Sequence, residues 1–294
     1  MREEKPGLAW QSKAILLIVV PWTAISVLLQ SYWWAREAPV VVWTTLGISG
    51  VFGLVVWRLR AGTLGAAATG AAITASLMYS TTRFPYATSW IHGGLLPLLA
   101  VFLLTFAATK IGKSKKEKLG TGESKRGRNA AQVAANLGTA ALLTQAFTLG
   151  ETHSWNSLSA SAAIAALAEA AADTVSSEIG QVFGGYPRML TTLRRVEPGT
   201  DGGITLAGTV AGTIAAAIVA AIGVWALGGD WFAWAFLAAG AVLGLFFDSL
   251  LGATAERKGW LNNDAVNFLS TLSAPILAVA IMLTFFAIFS RTIR

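Results

Sequence analysis

The chain has no cysteine, two histidines, and only 13% charged residues among its 294. Without cysteine a disulfide scaffold is excluded. Ordinary soluble domains carry about a quarter charged residues, so a conventional soluble globule is excluded too. Long like-charged tails are missing, which removes disorder and nucleic acid as a partner. The histidines, His92 and His153, have no metal-ligand spacing and read as surface residues. What is present is hydrophobic: 54% of the chain, with 12 tryptophans and 30 glycines. The fold class is therefore all-α, a polytopic membrane helix bundle whose partner is the lipid bilayer.

Apolar windows of roughly 17–25 residues mark spanning helices. They predict nine, near Ala14–Leu29, Pro39–Trp57, Gly62–Tyr79, Gly94–Ile111, Ala131–Leu149, Leu158–Ile179, Thr205–Leu227, Trp231–Leu251 and Val266–Phe289. The first is short, contains Pro21 and follows Arg2, Lys5 and Lys13, so it imitates a signal peptide. No small-residue cleavage site follows, and it is kept as a span. With nine spans, eighteen of the 22 basic residues fall on the side of the N-terminus. Only Arg36, Arg83, Arg291 and Arg294 fall on the other. By the positive-inside rule the N-terminal side is cytoplasmic. Trp10, Trp33, Trp34, Trp57, Trp90, Trp155, Trp231 and Trp260 fall near span ends, as interfacial anchors do. Trp22 and Trp43 do not.

Three regions are expected. Residues 1–109 are N-terminal membrane helices rich in large apolar groups. Residues 110–128 form a basic cytoplasmic loop with eight basic residues and two acids, Glu117 and Glu123. It sets topology and touches anionic lipid. Residues 129–294 form a helix bundle rich in Ala and Gly, whose small residues permit close helix approach. No tandem repeat is evident.

Acids inside a membrane are costly and need a reason. Glu169, Asp173, Glu178 and Asp248 qualify. Glu169, Asp173, Ser176, Ser177 and Gly180 share one helical face, with Glu178 off it. Carboxylate and hydroxyl oxygens are the ligand type Mg²⁺ prefers. A wetted helix end explains Glu178 equally well. The segment Arg194–Thr205 contains Arg194, Arg195, Gly199, Thr200, Asp201, Gly202 and Gly203 just before a helix. Glycine turns aim backbone N–H groups at anions, a helix N-terminus adds positive charge, and arginine forks onto phosphate. No Gly-Lys-Ser/Thr follows, so this is not a Walker loop, and a simple turn accounts for it equally.

Gly240, Gly244, Asp248, Gly252 and Glu256 recur every four residues, a packing seam that carries an acid. Asn263, Asn267 and Thr271 share a face entering the last helix. Asn129, Gln132 and Asn136 do so in the fifth, directly after Arg128. These clusters all open toward one side, and their convergence predicts a site.

The stretches Arg128–Asn136, Ala172–Gly180, Pro198–Gly208, Asp248–Ala253 and Asn262–Thr271 resemble a known family. It is the integral-membrane family that contains plant phytyl-phosphate kinase and animal transmembrane protein nineteen. The likeness covers about residues 40–290. A fainter one links Asp173, Ser176 and Gly180 to the CTP-using membrane enzymes, namely phytol and dolichol kinases and CDP-diacylglycerol synthases. Here Asn263-Asp264 stands where those enzymes carry Lys-Asp, and their histidine-glycine segment is absent.

The resemblance implies a membrane kinase. It would move a phosphoryl group from a nucleotide, CTP by the fainter likeness, to an isoprenoid monophosphate. The cofactor would be Mg²⁺ on Asp173 and Asp248, with Glu178 and Asp264. Arg194, Arg195 and Gly199–Gly203 would hold phosphates. Arg128, Asn129, Gln132, Asn136, Ser177, Asn263 and Asn267 would line the floor. The prenyl tail would lie between Ala/Gly-rich helices. The alternatives are a lipid-phosphate transporter or scramblase, with polar groups near the midplane, a CTP-using cytidylyltransferase, or a structural membrane subunit. The sequence sets no oligomeric state.

Overall fold

In a computed structural model the described residues are 8–82, 93–122, 127–148 and 153–292. Among them the chain is helical almost throughout: α1 (Trp10–Glu37), α2 (Pro39–Arg58), α3 (Leu64–Thr81), α4 (Leu95–Lys110), the short α5 (Lys113–Leu119), α6 (Ala130–Thr148), α7 (His153–Phe183), α8 (Leu206–Leu227), α9 (Trp231–Leu251) and α10 (Asn263–Thr292). A two-residue antiparallel pair, β1 (Arg188–Met189) with β2 (Gly203–Ile204), closes the α7–α8 connection.

The helix starts follow from their sequence. Thr63, Thr205, Asp230 and Asn262 each accept a backbone N–H three residues on through the side chain. Asn129 and Gln132 cap α6 reciprocally, each side-chain oxygen taking the other's N–H at 3.0 and 2.8 Å. Pro39 opens α2 at its first turn, where its missing N–H costs nothing.

All nine expected places are helical, but α1 is longer than expected and runs through Pro21. Among the described residues six helices are long and apolar enough to cross a membrane, or seven if α4 and α5, bent by 67°, form one span. The count of nine is thus not established by length and composition. α3 and α6 fall outside because they face protein: Gln145 of α6 donates to Ser76 and Ser80 of α3 at 2.7 and 3.0 Å. Side-chain hydrogen bonds of this kind join helices within a membrane.

One apolar core runs through α6 and α7, out to α1, α3 and α4, and into α8–α10. α7 is its axis, packed against α4, α6, α8, α9 and α10. Trp34, expected as an interfacial anchor, is instead buried against Val41 and Tyr79. Trp22 and Trp43 are exposed on the outer helix surfaces. Trp90, His92 and Arg83 lie outside the described residues, as do the side chains of His153 and Trp155.

Arg2, Lys5, Lys125, Arg126 and Arg294 lie outside the described residues; the described parts of the basic segments meet at one end of the bundle. Thr63 N–H donates to Arg128 O, joining the α2–α3 turn to the start of α6. Gln11 Nε2 donates to Trp260 O, joining α1 to the α9–α10 turn. Lys116 Nζ contacts Glu178 at 2.5 Å, joining α5 to α7. This grouping is the one the alternation of charge along the chain requires.

Candidate functional site

At that end lies a polar cavity of about 570 Å³. Its wall contains Arg128, Gln132, Asn136, Asp173, Ser177, Glu178, Gly199, Thr200, Asp201, Gly202, Gly203, Asp248, Asn263 and Asn267. Segments up to 139 residues apart in sequence therefore converge as the clustered polar faces implied.

Asp173 of α7 and Asp248 of α9 stand side by side. They are held there by small residues. A Cβ at Gly212 would meet Ala172 O at 2.7 Å, and one at Gly244 would meet Glu169 Cγ at 2.7 Å. These glycines let α8 and α9 approach α7 closely enough for the two carboxyls to meet. The Arg128 guanidinium lies beside Asp173 and donates to Thr174 Oγ1 at 3.3 Å. One turn deeper, Glu169 is wholly buried, and neither of its oxygens has a hydrogen-bond partner. The nearby Ser270 hydroxyl donates instead to Asn267 O at 3.0 Å.

Past Asp248, α9 loosens into one π-helical turn, Gly252–Glu256. Such turns recur at functional sites. Glu256 joins the cavity wall through it. The glycine loop folds onto this turn. Gly202 has φ +74°, and a Cβ there would collide with Ala253 N, so no side chain fits. The loop is fastened to the end of α9 backbone against backbone.

Several expected roles change. Arg194 and Arg195 are exposed and do not line the cavity. Their segment pairs back on Arg188 as a hairpin that faces outward. Thr200 N–H and Gly203 N–H are engaged within the loop, by Glu197 O and Thr200 O. The loop thus wraps the site but does not offer those two donors to an anion. Asn129 caps α6 and does not line the cavity. Asp264, one step round the helix from Asn263, turns to the far side and accepts from Ser12 Oγ at 2.6 Å. Glu178 reaches the wall, but Lys116 Nζ and Thr109 Oγ1 occupy its oxygens. Glu169 and Glu256 were visible in the acid stripes without being given a role. Arg128 is the cation that these changes bring forward.

Among the described residues no group of three or more His, Cys, Asp and Glu side chains is disposed around a metal position. A pair suffices for Mg²⁺, which takes one or two carboxylates and completes its shell with water and phosphate oxygens. Asp173 and Asp248 fit that requirement. Ionised carboxylates only accept hydrogen bonds, and Asp248 Oδ2 is buried without a donor. A cation between the two carboxyls would supply the partner that Asp248 Oδ2 lacks.

The profile of the integral membrane protein family DUF92 matches residues 47–275. The chain belongs to that family. This bears out the resemblance drawn from Arg128–Asn136 and the stretches after it. Among relatives, the uncharacterized membrane protein sll0875 of Synechocystis is 31% identical over 219 residues, covering 69% of this chain and 83% of its own. MJ0933 of Methanocaldococcus jannaschii, another uncharacterized membrane protein, is 40% identical over 121 residues, 41% of this chain and 50% of that one. The chloroplastic protein VTE6 of Arabidopsis thaliana is 28% identical over 191 residues, 63% of this chain and 57% of that protein. No solved structure matches the chain.

Proposed function

We propose that the chain is a membrane phosphotransferase that converts an isoprenoid monophosphate to its diphosphate, with a nucleoside triphosphate as donor. The observation that carries this reading is the meeting of Asp173, Asp248 and Arg128 in one polar cavity at the basic end of the bundle. The family's likeness to phytyl-phosphate kinase supplies the acceptor class, and the fainter likeness to CTP-using kinases supplies CTP. By the charge rule the cavity opens to the cytoplasm, where nucleotides are found.

A phosphate oxygen of the acceptor attacks the γ-phosphorus. The bond from that phosphorus to the β,γ-bridging oxygen breaks, and the nucleoside diphosphate leaves with the electron pair. Such transfer depends on positioning and charge neutralisation more than on covalent groups from the protein. A phosphate acceptor is already ionised near neutral pH, so no dedicated base is required. Mg²⁺, bound to Asp173 and Asp248, would offset the charge that develops on the phosphate oxygens. Arg128 draws phosphate toward the pair and forks onto two of its oxygens. Gln132, Asn136, Asn263 and Asn267 supply neutral donors along the wall. Glu178 and Asp264 hold helices in place and do not touch substrate.

The test uses the full chain in lipid nanodiscs with Mg²⁺, geranylgeranyl or phytyl monophosphate, and each of the four nucleoside triphosphates in turn. Diphosphate forms with one donor or more, and Asp173→Asn or Asp248→Asn lowers the rate about a hundredfold. Unchanged product in both variants overturns the role of the pair. No turnover with any nucleotide, together with lipid-phosphate movement across liposomes, overturns the kinase in favour of a transporter.

A further inference from the structure

The resemblance implies a lipid tail between the Ala/Gly-rich helices, and the structure closes those seams. A Cβ at Gly208 would lie 2.5 Å from Ser176 O, and one at Gly240 the same distance from Ala274 O. Open space lies elsewhere. A narrow apolar cleft of about 90 Å³ runs among α2, α3, α4 and α6. One face of α4 lines it from end to end: Leu98, Val101, Phe102, Thr105, Phe106 and Thr109. Steps of three and four residues keep these on a single stripe, about 17 Å long at 1.5 Å per residue. Phe52 and Gly70 form the opposite wall. Between α2 and α4, the edge-on contact of Phe52 with Phe102, 5.4 Å between ring centres, stands where a helix seam would otherwise be.

The lining changes character at the basic end. Lys110, Arg128 and Asn136 stand there, and Arg128 and Asn136 also line the polar cavity. The two spaces share one cation and one amide. Lys110 Nζ lies 4.9 Å from the Phe106 ring centre, so a second cation adjoins the apolar wall. An apolar bore that ends in cations matches an amphiphile with one chain and an anionic head.

We propose that this cleft is the tail channel of a single-chain lipid monophosphate. Its phosphate sits at Arg128, where the two spaces meet, and its hydrocarbon runs along α4 toward Leu98. The inference rests on the kinase reading above and gives its acceptor a position. The length of the stripe holds about three isoprene units, taking each as four bonds of an extended chain. The narrow bore excludes two-chain lipids such as phosphatidic acid. Gly70 sets the width: a Cβ there has Phe52 Cε1 as its nearest neighbour at 3.8 Å, so one carbon fits and further atoms fill the bore.

The probe is farnesyl monophosphate carrying a terminal diazirine, irradiated with the full chain in nanodiscs without nucleotide. Peptide mapping by mass spectrometry is expected to find adducts on α4 near Leu98 and Val101 or on Phe52. Excess geranylgeranyl monophosphate abolishes them, and phosphatidic acid does not. Gly70→Leu and, independently, Val101→Trp reduce them at least tenfold. Adducts confined to the outer surfaces of α8–α10, or equal labelling in both variants, overturn the channel. In turnover, Gly70→Leu raises KM for geranylgeranyl monophosphate at least tenfold and leaves KM for the nucleotide unchanged. Labelling in the cleft without turnover on any nucleotide sinks the kinase and keeps the lipid-phosphate site. Turnover with labelling elsewhere sinks the channel and keeps the kinase.

Discussion

Gly50 in α2 and Gly240 in α9 both lie in membrane helices, yet their surroundings are opposite. A Cβ at Gly50 meets nothing within 4 Å, whereas one at Gly240 would lie 2.5 Å from Ala274 O and 2.6 Å from Ala278 Cβ. The contrast extends to the regions around them. From α7 to α10, glycine and alanine bring backbones into contact, and the Asp173–Asp248 pair is set in that rigid frame. From α1 to α4, larger side chains face outward, and α2 and α4 leave the cleft that Phe52 and Phe102 line. Those helices join the frame through the shared apolar core, by Ile15, Ile73, Leu98 and Val101, and polar links at the basic end add to it: Ser12 of α1 to Asp264, and Lys116 of α5, next after α4, to Glu178. Close packing sets the Asp173–Asp248 pair, and the wall beside it is held by the shared core together with a few polar links. In lipid, where apolar burial gives helices little drive to associate, packing and hydrogen bonds carry that division.

The comparison breaks most directly at Lys116 and Glu178. Lys116 is 3% exposed at its side chain, and it also donates to Ala108 O and Thr109 O at 3.1 and 2.8 Å. Glu178→Gln leaves a buried cation without its counter-charge, which costs about 3 kcal/mol. Thermal melting in detergent should fall accordingly, and the double variant Lys116→Met, Glu178→Leu should recover most of the loss. An unchanged melt in Glu178→Gln shows that this link does not hold α5 to α7. A smaller effect separates the two regions themselves. Gly240→Ala overpacks a closed seam and costs about 1–3 kcal/mol. Gly50→Ala meets open space and gains about 0.5–1 kcal/mol from helix propensity. Equal shifts in the two melts would erase the distinction.

Most of the fold was legible because apolar runs, caps and charge alternation are local signals. All nine runs became helices, and the basic segments gathered at one end. The span count was less legible. α3 and α6 carry Ser76, Ser80 and Gln145 because they face each other, and a hydropathy window does not see a partner. In the site, Asp173, Asp248, Asn136, Asn263 and Asn267, picked out by their stripes, all reach the cavity. Two residues singled out by chemical type alone do not reach it. Arg194 and Arg195 were expected at phosphate, but the segment between β1 and β2 turns them outward, a consequence of pairings between residues fourteen and sixteen apart. Asn129 looked like a ligand and proved to be half of a capping box, which its spacing from Gln132 already encoded. The tail cleft left no sequence signal at all. It arises where α2 and α4 touch through Phe52 and Phe102 without close backbone packing, and no property of either helix alone shows that.

Asp264 carries the finest test of the division between frame and chemistry. It was expected beside the metal with Asp173 and Asp248, and one helical step puts it on the opposite face, near Ser12. Asn262 Nδ2 donates to the same serine oxygen at 2.9 Å, so Ser12 links α1 to two residues at the start of α10. Ser12→Ala removes a hydrogen bond to a carboxylate, worth about 1.5 kcal/mol, and should lower the melt slightly without changing turnover. Asp264→Asn keeps an acceptor for Ser12 and should cost less still. Its KM for the nucleotide and its Mg²⁺ dependence should match those of the parent chain, in contrast to Asp173→Asn. If Asp264→Asn instead shifts the Mg²⁺ dependence while Ser12→Ala does not, the carboxylate acts on the cavity side of α10, and the assignment of Asp264 to the frame is wrong.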